Sequence, residues 1–475
     1  MWLGIDLGTS GVKTIVMDDQ RAVVARQSVA LGTERPHPGW SEQDPEDWWR
    51  AVRQSIRALP RMIRARVKGV ALSGQMHGTV VLGENEQPLR PAILWNDTRS
   101  AAEAQSLSEE AKTHVGNLAM PGFTAPKLLW MAQHEPDIFN RIKTVLLPKD
   151  YIRFRLTGEL ASDMSDASGT LWLDIAKRRW SQPMLNATGM TVEQMPCLVE
   201  GTDVSGQLLA SAAEDLGLPI VPVAGGAGDQ AAGAIGVGVI ESSDALLSLG
   251  TSGVIFAPTN AFAPAPYNGV HAFCHALPDR WHVMSVMLSS AACLDWAARL
   301  AGFKDVPLAL SAAENCTHAS PVPLFLPYLS GERTPHNDAS ARGVFFGLDN
   351  DTDGASLVHS VLEGVAFGLR DGLDALQLDL AEISVIGGGA RSALWSQIIC
   401  DALQVPLVVR DGAEVGPALG AARLAQIAVT GAAADEVCTK PPVLARYEPG
   451  DEPISRLATF RKLYRSIKPL FEELT

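Results

Sequence analysis

Residues 1–18 read "MWLGIDLGTSGVKTIVMD", an apolar run that ends at Asp6 and enters Leu7-Gly8-Thr9-Ser10-Gly11. The glycines look like a phosphate-binding turn. Yet the stretch lacks both the G-x-G-x-x-G spacing of a dinucleotide fold and the G-K-[ST] ending of a P-loop. Val12, Thr14, Ile15 and Val16 continue as a second strand where either motif would place a helix. The turn is therefore read as the tip of a β-hairpin. The same six residues, "LGTSGV", stand at 7–12 and again at 249–254, inside "ALLSLGTSGVIFAP". Each copy follows apolar residues and precedes another β-like run. An identity of this kind, free of low complexity, indicates two similar domains, each opening with a hairpin whose Gly-Thr-Ser-Gly tip holds phosphate. Glycine lets the backbone turn and come close to a ligand. Successive N–H groups make an anion-holding concavity, and the Thr and Ser hydroxyls add donors.

The rest of the chain fits two α/β domains. Its 475 residues, 47% of them hydrophobic, suffice for more than one core. A net charge of −14 and the absence of a basic stripe argue against nucleic acid as a partner. An anionic ligand has to be held by backbone N–H groups, a metal ion and a few isolated cations. The six cysteines form no C-x-x-C pair, which fits a reducing compartment. With no signal segment and no apolar run of membrane-spanning length, a soluble cytoplasmic protein is expected.

Coarse patterning places the candidate residues. "SEQDPEDWWRAVRQSIRALP" reads as a helix capped by Asp44, with Pro45 at its first position and Trp48, Val52, Ile56 and Leu59 on one face. "VKGVALSGQMHGTVVL" reads as strand, turn, strand, with Gln75, Met76 and His77 at the tip. "LPIVPVAGGAGDQAAGAIGVG" reads as a buried strand, a glycine loop, Asp229 and a small-residue helix. "EISVIGGGARSALWSQIICDALQVPLVVRD" reads as strand, triple glycine, helix, strand. The boundary falls at the Gly238–Asp244 linkage, giving domains 1–240 and 241–475 that face a central cleft. In "HAFCHALPDRWH", His271, Cys274, His275 and His282 make no convincing set of four zinc ligands and show no recognisable zinc spacing. Alternating apolar residues there favour strand, turn at Pro278-Asp279, and strand.

Duplicated strand–GTSG–strand hairpins with a late strand–GGG–helix resemble the actin, Hsp70 and hexokinase superfamily, whose domains are ribonuclease H-like. Within it, "GFTAPKLLWMAQHEP", "LPKDYIRFRLTGELASDMSDASGTLWLD", "SLGTSG", "LPYLSGERTPHND" and "IGGGARSALW" are similar to the FGGY carbohydrate kinases across nearly the whole chain. "GQMHG", "WSEQDP", "PAILWNDTR" and "PGFTAPK" are similar to the xylulokinase branch. The resemblance implies ATP-dependent phosphoryl transfer to O5 of D-xylulose, with closure of the two domains over the sugar and, as among relatives, a homodimer. Within the family, L-ribulose, L-rhamnulose, gluconate and glycerol are the competing substrates. A chaperone, a filament protein or a sugar sensor of the same fold is disfavoured: "YEPGDEPISRLATFRKLYRSIKPLFEEL" reads only as a closing helix, and Asp6 and Asp229 are both retained.

Each site residue has an ordinary alternative. Asp6 ends a strand before the hairpin and is placed to hold Mg²⁺ directly or through water; its other role is to stabilise the turn. Lys13 is the nearest fixed cation, open to a phosphate contact or to a solvated strand position. Asp229 follows Gly225, Gly226 and Gly228 and precedes a helix, as a plain N-cap would. The resemblance makes it the catalytic base in a "GDQ" context, orienting the sugar hydroxyl and accepting its proton late, so that an ordinary carboxyl pKa is adequate. The resemblance also assigns Met76 and His77 to the sugar, with a further hydroxyl contact from Gln230, where close xylulokinases are expected to carry Asn. Gly8, Thr9 and Ser10 grip phosphate from one side and Gly250, Thr251 and Ser252 from the other. Gly387, Gly388 and Ala390 are expected against the adenosine, ahead of a helix N-terminus. Glu332 and Arg333 stand behind the site, Arg333 open to an ion pair or to shaping the cleft.

Overall fold

The computed structural model describes residues 1–315, 322–411, 416–450 and 455–474. Two seven-stranded sheets carry the architecture. The first runs, edge to edge, Val204–Gln207, Pro222–Ala224, Gly69–Gly74, Trp2–Leu7, Gly11–Met17 and Val23–Ala30, with Ala227–Gly228 also paired to Gly69–Gly74. The second runs His271–Cys274, Trp281–Met287, Gly253–Thr259, Asp244–Leu249, Glu382–Ile386, Leu407–Arg410 and Val443–Tyr447. In each sheet the opening antiparallel hairpin leads to two parallel strands, and an antiparallel edge strand closes the far side. This common order is the duplication announced by the repeated hexapeptide.

The identical hexapeptides do not make identical turns. Leu7 faces Val12 across the first hairpin, whereas Leu249 faces Gly253 across the second. Gly8 N donates to Gly11 O (3.0 Å) at one tip and Gly250 N to Ser252 O (3.0 Å) at the other. At the second tip the carbonyls of Gly250 and Thr251 also accept the N–H groups of Ala291 and Ser290, both at 2.9 Å, ahead of the Ala291–Leu300 helix. Surroundings, more than local sequence, set the register by one residue.

The helix Pro45–Arg57 forms as its pattern requires: Asp44 caps it by accepting Glu46 N (2.9 Å), and Trp48, Val52 and Ile56 are fully buried. The strand after the Met76-His77 turn, Val80–Leu82, leaves the first sheet and pairs with Thr144–Leu146 instead. The closing helix spans Leu457–Phe471 and buries Phe460, Leu463 and Tyr464; residues 451–454 of that stretch lie outside the described residues.

Two helices join the halves. Asp229–Val237 is built from small residues and is buried on every side from Ala231 onward. It crosses Gly416–Thr430, which stands in sequence between the last two strands of the second sheet but lies against the first. A Cβ on Gly420 would stand 1.8 Å from Ala232 O, one on Gly236 2.0 Å from Gly416 O, and one on Gly4 2.0 Å from Ala418 O. Arg423 fastens the crossing by donating to Ile235 O (2.8 Å) and Thr439 O (2.9 Å). Gly420→Ala is therefore expected to lower stability by about 1–3 kcal/mol, read as a drop of several degrees in the thermal midpoint. Gly32→Ala, where nothing lies within 4 Å of the added methyl, is the neutral control.

Candidate active site

Asp6 and Asp229 flank the carboxyl end of one parallel strand, where open α/β sheets bind ligands. Asp6 is level with Ser73 on one side of Gly69–Gly74. Gly228 is level with Gly74 on the other, so Asp229 stands one residue beyond it. Asp6 is buried and accepts Ser73 Oγ at 3.1 Å. Burial pushes its carboxyl up to about 6, against the pull of Ser73 and of Lys13, its exposed cross-strand partner. Asp229 is the first residue of its helix, not the cap, which is Gly228. It accepts Gln230 N at 2.7 Å. Burial first, and then the neighbouring Asp6, push Asp229 up to about 7, with the Gln230 backbone and side chain pulling the other way. Asp229 thus lies above the ordinary carboxyl value that would already be adequate for a late-acting base. Desolvation adds to a like charge nearby.

Met76 and His77 adjoin this pair. A Cβ on Gly228 would stand 2.9 Å from Met76 Sδ, which brings the methionine against the residue before Asp229. His77 adopts the left-handed region at φ 68°. Its Nδ1 lies 2.8 Å from Gly169 O, and as donor to that carbonyl it leaves Nε2 as an acceptor. Burial pushes the imidazole down to about 3, helped by the charges of Lys127 and Arg333, so it stays neutral at working pH. The ring stacks on Phe123 at 4.2 Å. Gln230 sits beside Asp229 and spends part of its amide on that carboxyl.

The hairpin tips differ from expectation in one respect. The Thr9 hydroxyl donates to Gln75 Oε1 (2.9 Å) and accepts Trp95 Nε1 (2.9 Å), so it is committed internally. Gln43 Nε2 further ties down the Thr9 carbonyl at 2.7 Å. The tip therefore offers backbone N–H groups and the exposed Ser10. At the second tip Thr251 is exposed and Gly250 and Ser252 partly so. Gly387 (φ 97°) lies against that hairpin, where a Cβ would stand 2.6 Å from Leu249 O. Gly388 is open, and with Gly389, Ser392, Leu310 and Leu294 it lines a cavity of about 610 Å³. Gly387 and Ala390 do not line it; Ala390 packs on the second core. Ser392 caps the helix that follows by accepting Trp395 N at 3.2 Å, so one of its free N–H groups is already used.

Several participants carry no local signal. Lys127 is buried, and burial holds it well below the usual lysine value; it donates to His77 O at 2.9 Å. Gly169 must be glycine, since a Cβ would stand 2.5 Å from His77 Nδ1. His271, His275 and His282 are buried among Phe256 and Phe273 and form no metal-ligand group. Among the described residues the one such group is Asp150, Asp163 and Asp166, and the Lys149 ammonium already sits among them. Glu332 Oε1 accepts Leu288 N (3.0 Å) and Arg333 N (2.6 Å), and burial pushes its carboxyl up to about 8. Arg333 makes no short ion pair with it; burial lowers the guanidinium, which faces His77 and His271 closely enough to depress both.

Residues 1–236 match the FGGY family of carbohydrate kinases, N-terminal domain, and residues 245–429 the C-terminal domain of that family. The chain is 50% identical over 482 aligned positions to the xylulose kinase of Escherichia coli (strain K12), covering 99% of this chain and 100% of the relative. It is 36% identical to the xylulose kinase of Bacillus subtilis (strain 168), covering 98% and 96%. The crystal structure of a "xyloylose kinase" from Brucella ovis superposes with a TM-score of 0.95 at 47% identity over the full length of both chains.

The raised carboxyl of Asp229 makes a stability prediction. Its value is about 7 in the fold, against about 3.9 in an unfolded chain. The native state therefore holds the proton more tightly, and stability is lost as pH rises from about 4 through about 7. Asp229→Asn removes that loss. The variant is expected to unfold at a higher temperature than the parent at pH 8, by on the order of 1–3 kcal/mol since the side chain partly reaches solvent. The gap should close at pH 4–5. Melting curves at both pH values check it.

Proposed function

The chain belongs to the FGGY family of carbohydrate kinases, and within it we propose that the protein transfers the γ-phosphoryl group of ATP to O5 of D-xylulose, giving D-xylulose 5-phosphate and ADP. The observation that carries this reading is the pair of carboxyls, Asp6 buried and Asp229 half-buried, raised by desolvation and flanking one strand end beside Met76 and His77.

Asp229 is the general base. A carboxyl with a value of about 7 is poised near the operating pH, where it can orient the O5 hydroxyl and accept its proton as the bond to phosphorus forms. His77 Nε2, acceptor only, suits a sugar hydroxyl that donates. Met76 supplies an apolar wall. The two hairpin tips grip the phosphates through backbone N–H groups, Ser10, Thr251 and Ser252, with Lys13 the nearest cation to the first tip. The cavity beside Gly388 and Gly389 suits the adenosine.

Asp6 fits a magnesium ion. Mg²⁺ takes one or two carboxylates and completes its shell with phosphate oxygens and water. A lone buried carboxyl, destabilised in its charged form by burial, is the donor that a dication relieves. When bound there, the ion would neutralise charge on the transferring phosphates in a protein of net charge −14.

Two outcomes test the proposal. Purified protein with Mg-ATP should release ADP fastest with D-xylulose, compared with L-ribulose, gluconate, glycerol and no sugar. A preference for another polyol would reassign the pocket at Met76, His77 and Gln230, and release indifferent to sugar would remove the kinase reading. Asp229→Asn should keep its fold and its affinity for ATP while losing about 10²-fold or more in kcat. Near-normal turnover in that variant would strip Asp229 of its role.

A further inference from the structure

One short helix, Met164–Ser168, touches both the base segment and the sugar histidine. At its start, Ser165 Oγ accepts the N–H of Gly228, the residue immediately before Asp229, at 3.1 Å. At its end, the carbonyl of Gly169 faces His77 Nδ1 at 2.8 Å. Between them, Ser168 Oγ accepts Cys274 N at 3.0 Å, on the edge strand of the second sheet. Five residues thus span the base, the sugar site and the second half.

The helix is itself held by a buried ion cluster. Asp163 caps it: Oδ1 accepts Ser165 Oγ (2.5 Å), Ser165 N (3.0 Å) and Asp166 N (3.2 Å), while Oδ2 lies 2.6 Å from Lys149 Nζ. Lys149 also pairs with Asp150 and lies 3.2 Å from Asp166, and Asp150 pairs in turn with Arg153. Lys149 and the three aspartates are 0% exposed and Arg153 is 1% exposed. The lysine stem rests against the other functional strand, since a Cβ on Gly74 would stand 2.9 Å from Lys149 Cβ. Gly74 leads directly into Gln75-Met76-His77.

Buried ion groups of this kind add little net stability. Desolvation offsets most of the attraction, and apolar replacements of equal volume often serve as well. What they do fix is geometry. A serine hydroxyl has one proton, and here it goes to the Asp163 carboxylate, which leaves a lone pair directed at Gly228 N–H. The hydroxyl cannot turn round without abandoning a charged partner.

We propose that the chain Lys149–Asp163–Ser165 positions Asp229, and that Met164–Gly169 is the spacer setting the distance between that residue and His77. Ser165 is a positioning residue: it acts through the Gly228 peptide and touches neither sugar nor phosphate. The spacer then determines which hydroxyl of a sugar held at His77 is presented for transfer. The inference rests on the reading of Asp229 as the base.

Ser165→Ala, Asp229→Asn and the double variant are to be compared for kcat, KM for each substrate, and ADP formed per sugar phosphate. Displacement of a reacting group by about 1 Å costs up to about 10²-fold. Ser165→Ala should therefore lower kcat by about 10- to 100-fold, leave KM for ATP within about twofold, and raise the ADP to sugar-phosphate ratio above one as water competes for the misaligned phosphoryl group. The double variant should be no slower than Asp229→Asn alone, as expected for residues that act as a unit. Wild-type kcat with a ratio of one in folded Ser165→Ala overturns the proposal, and so does a double variant slowed by the product of the two effects. Should Ser165→Ala not fold, Ser165→Cys replaces it, its thiol being a weak partner in a nearly isosteric group, and the same outcomes decide. Substantial turnover in Asp229→Asn would instead remove the base on which the inference depends, whatever Ser165→Ala does.

Discussion

The crossing of two small-residue helices is the constraint on which the site depends. Asp229 opens one of them, and the other lies against the strand that carries Asp6. Gly236 against Gly416, Gly420 against Ala232 and Gly4 against Ala418 leave no room for a methyl group at any of the three contacts. The separation of the two carboxyls is therefore set by backbone against backbone, the stiffest contact a protein interior offers. Side chains of ordinary size would part the helices, and the two acids would no longer flank one strand end.

That rigidity has an electrostatic consequence. Two carboxyls held in a desolvated junction resist ionising, and each raises the other's difficulty. In the ligand-free protein this is a loss of stability near neutral pH; under the proposed function, a dication at Asp6 and a sugar hydroxyl at Asp229 would turn the same strain into affinity and proton acceptance. The arrangement exchanges stability of the ligand-free fold for function, a familiar trade at active sites. On the proposed reading, an acidic protein would hold a polyanion here with few cations, through backbone N–H groups at two turns. The internal commitment of the Thr9 hydroxyl shows that the first turn is shaped by its own network with Gln75, Gln43 and Trp95 before any ligand arrives.

Much of this was legible in the residues alone, and what was not has a physical reason. The repeat of LGTSGV exposed the duplicated hairpins because turn chemistry is local. Its one-residue difference in register was hidden, since the Ala291 and Ser290 amides that hold the second tip are some forty positions away. Asp44, Pro45 and the Trp48–Val52–Ile56 spacing defined a helix with its cap. Glycines before Asp229 marked a close approach, but not the raised pKa, which comes from burial and from Asp6 and so exists only after folding. Lys127, Gly169 and Ser165 looked like ordinary members of helices and turns. Their roles lie in contacts with His77 and Gly228 across 50, 92 and 63 positions of chain. His271 and His282 read correctly as strand residues, because alternation reports burial directly, while His275 stands one residue past the first strand.

The central claim is that one sugar hydroxyl lies against Asp229 while a metal-bound phosphate lies against Asp6. A crystal structure with D-xylulose, Mg²⁺ and a non-hydrolysable ATP analogue measures this directly. The account predicts O5 within hydrogen-bond distance of the Asp229 carboxylate, the ion on the Asp6 side of the Gly69–Gly74 strand, and another sugar oxygen donating to His77 Nε2. A sugar bound with O5 remote from Asp229, or with its nearest carboxylate elsewhere, would contradict it.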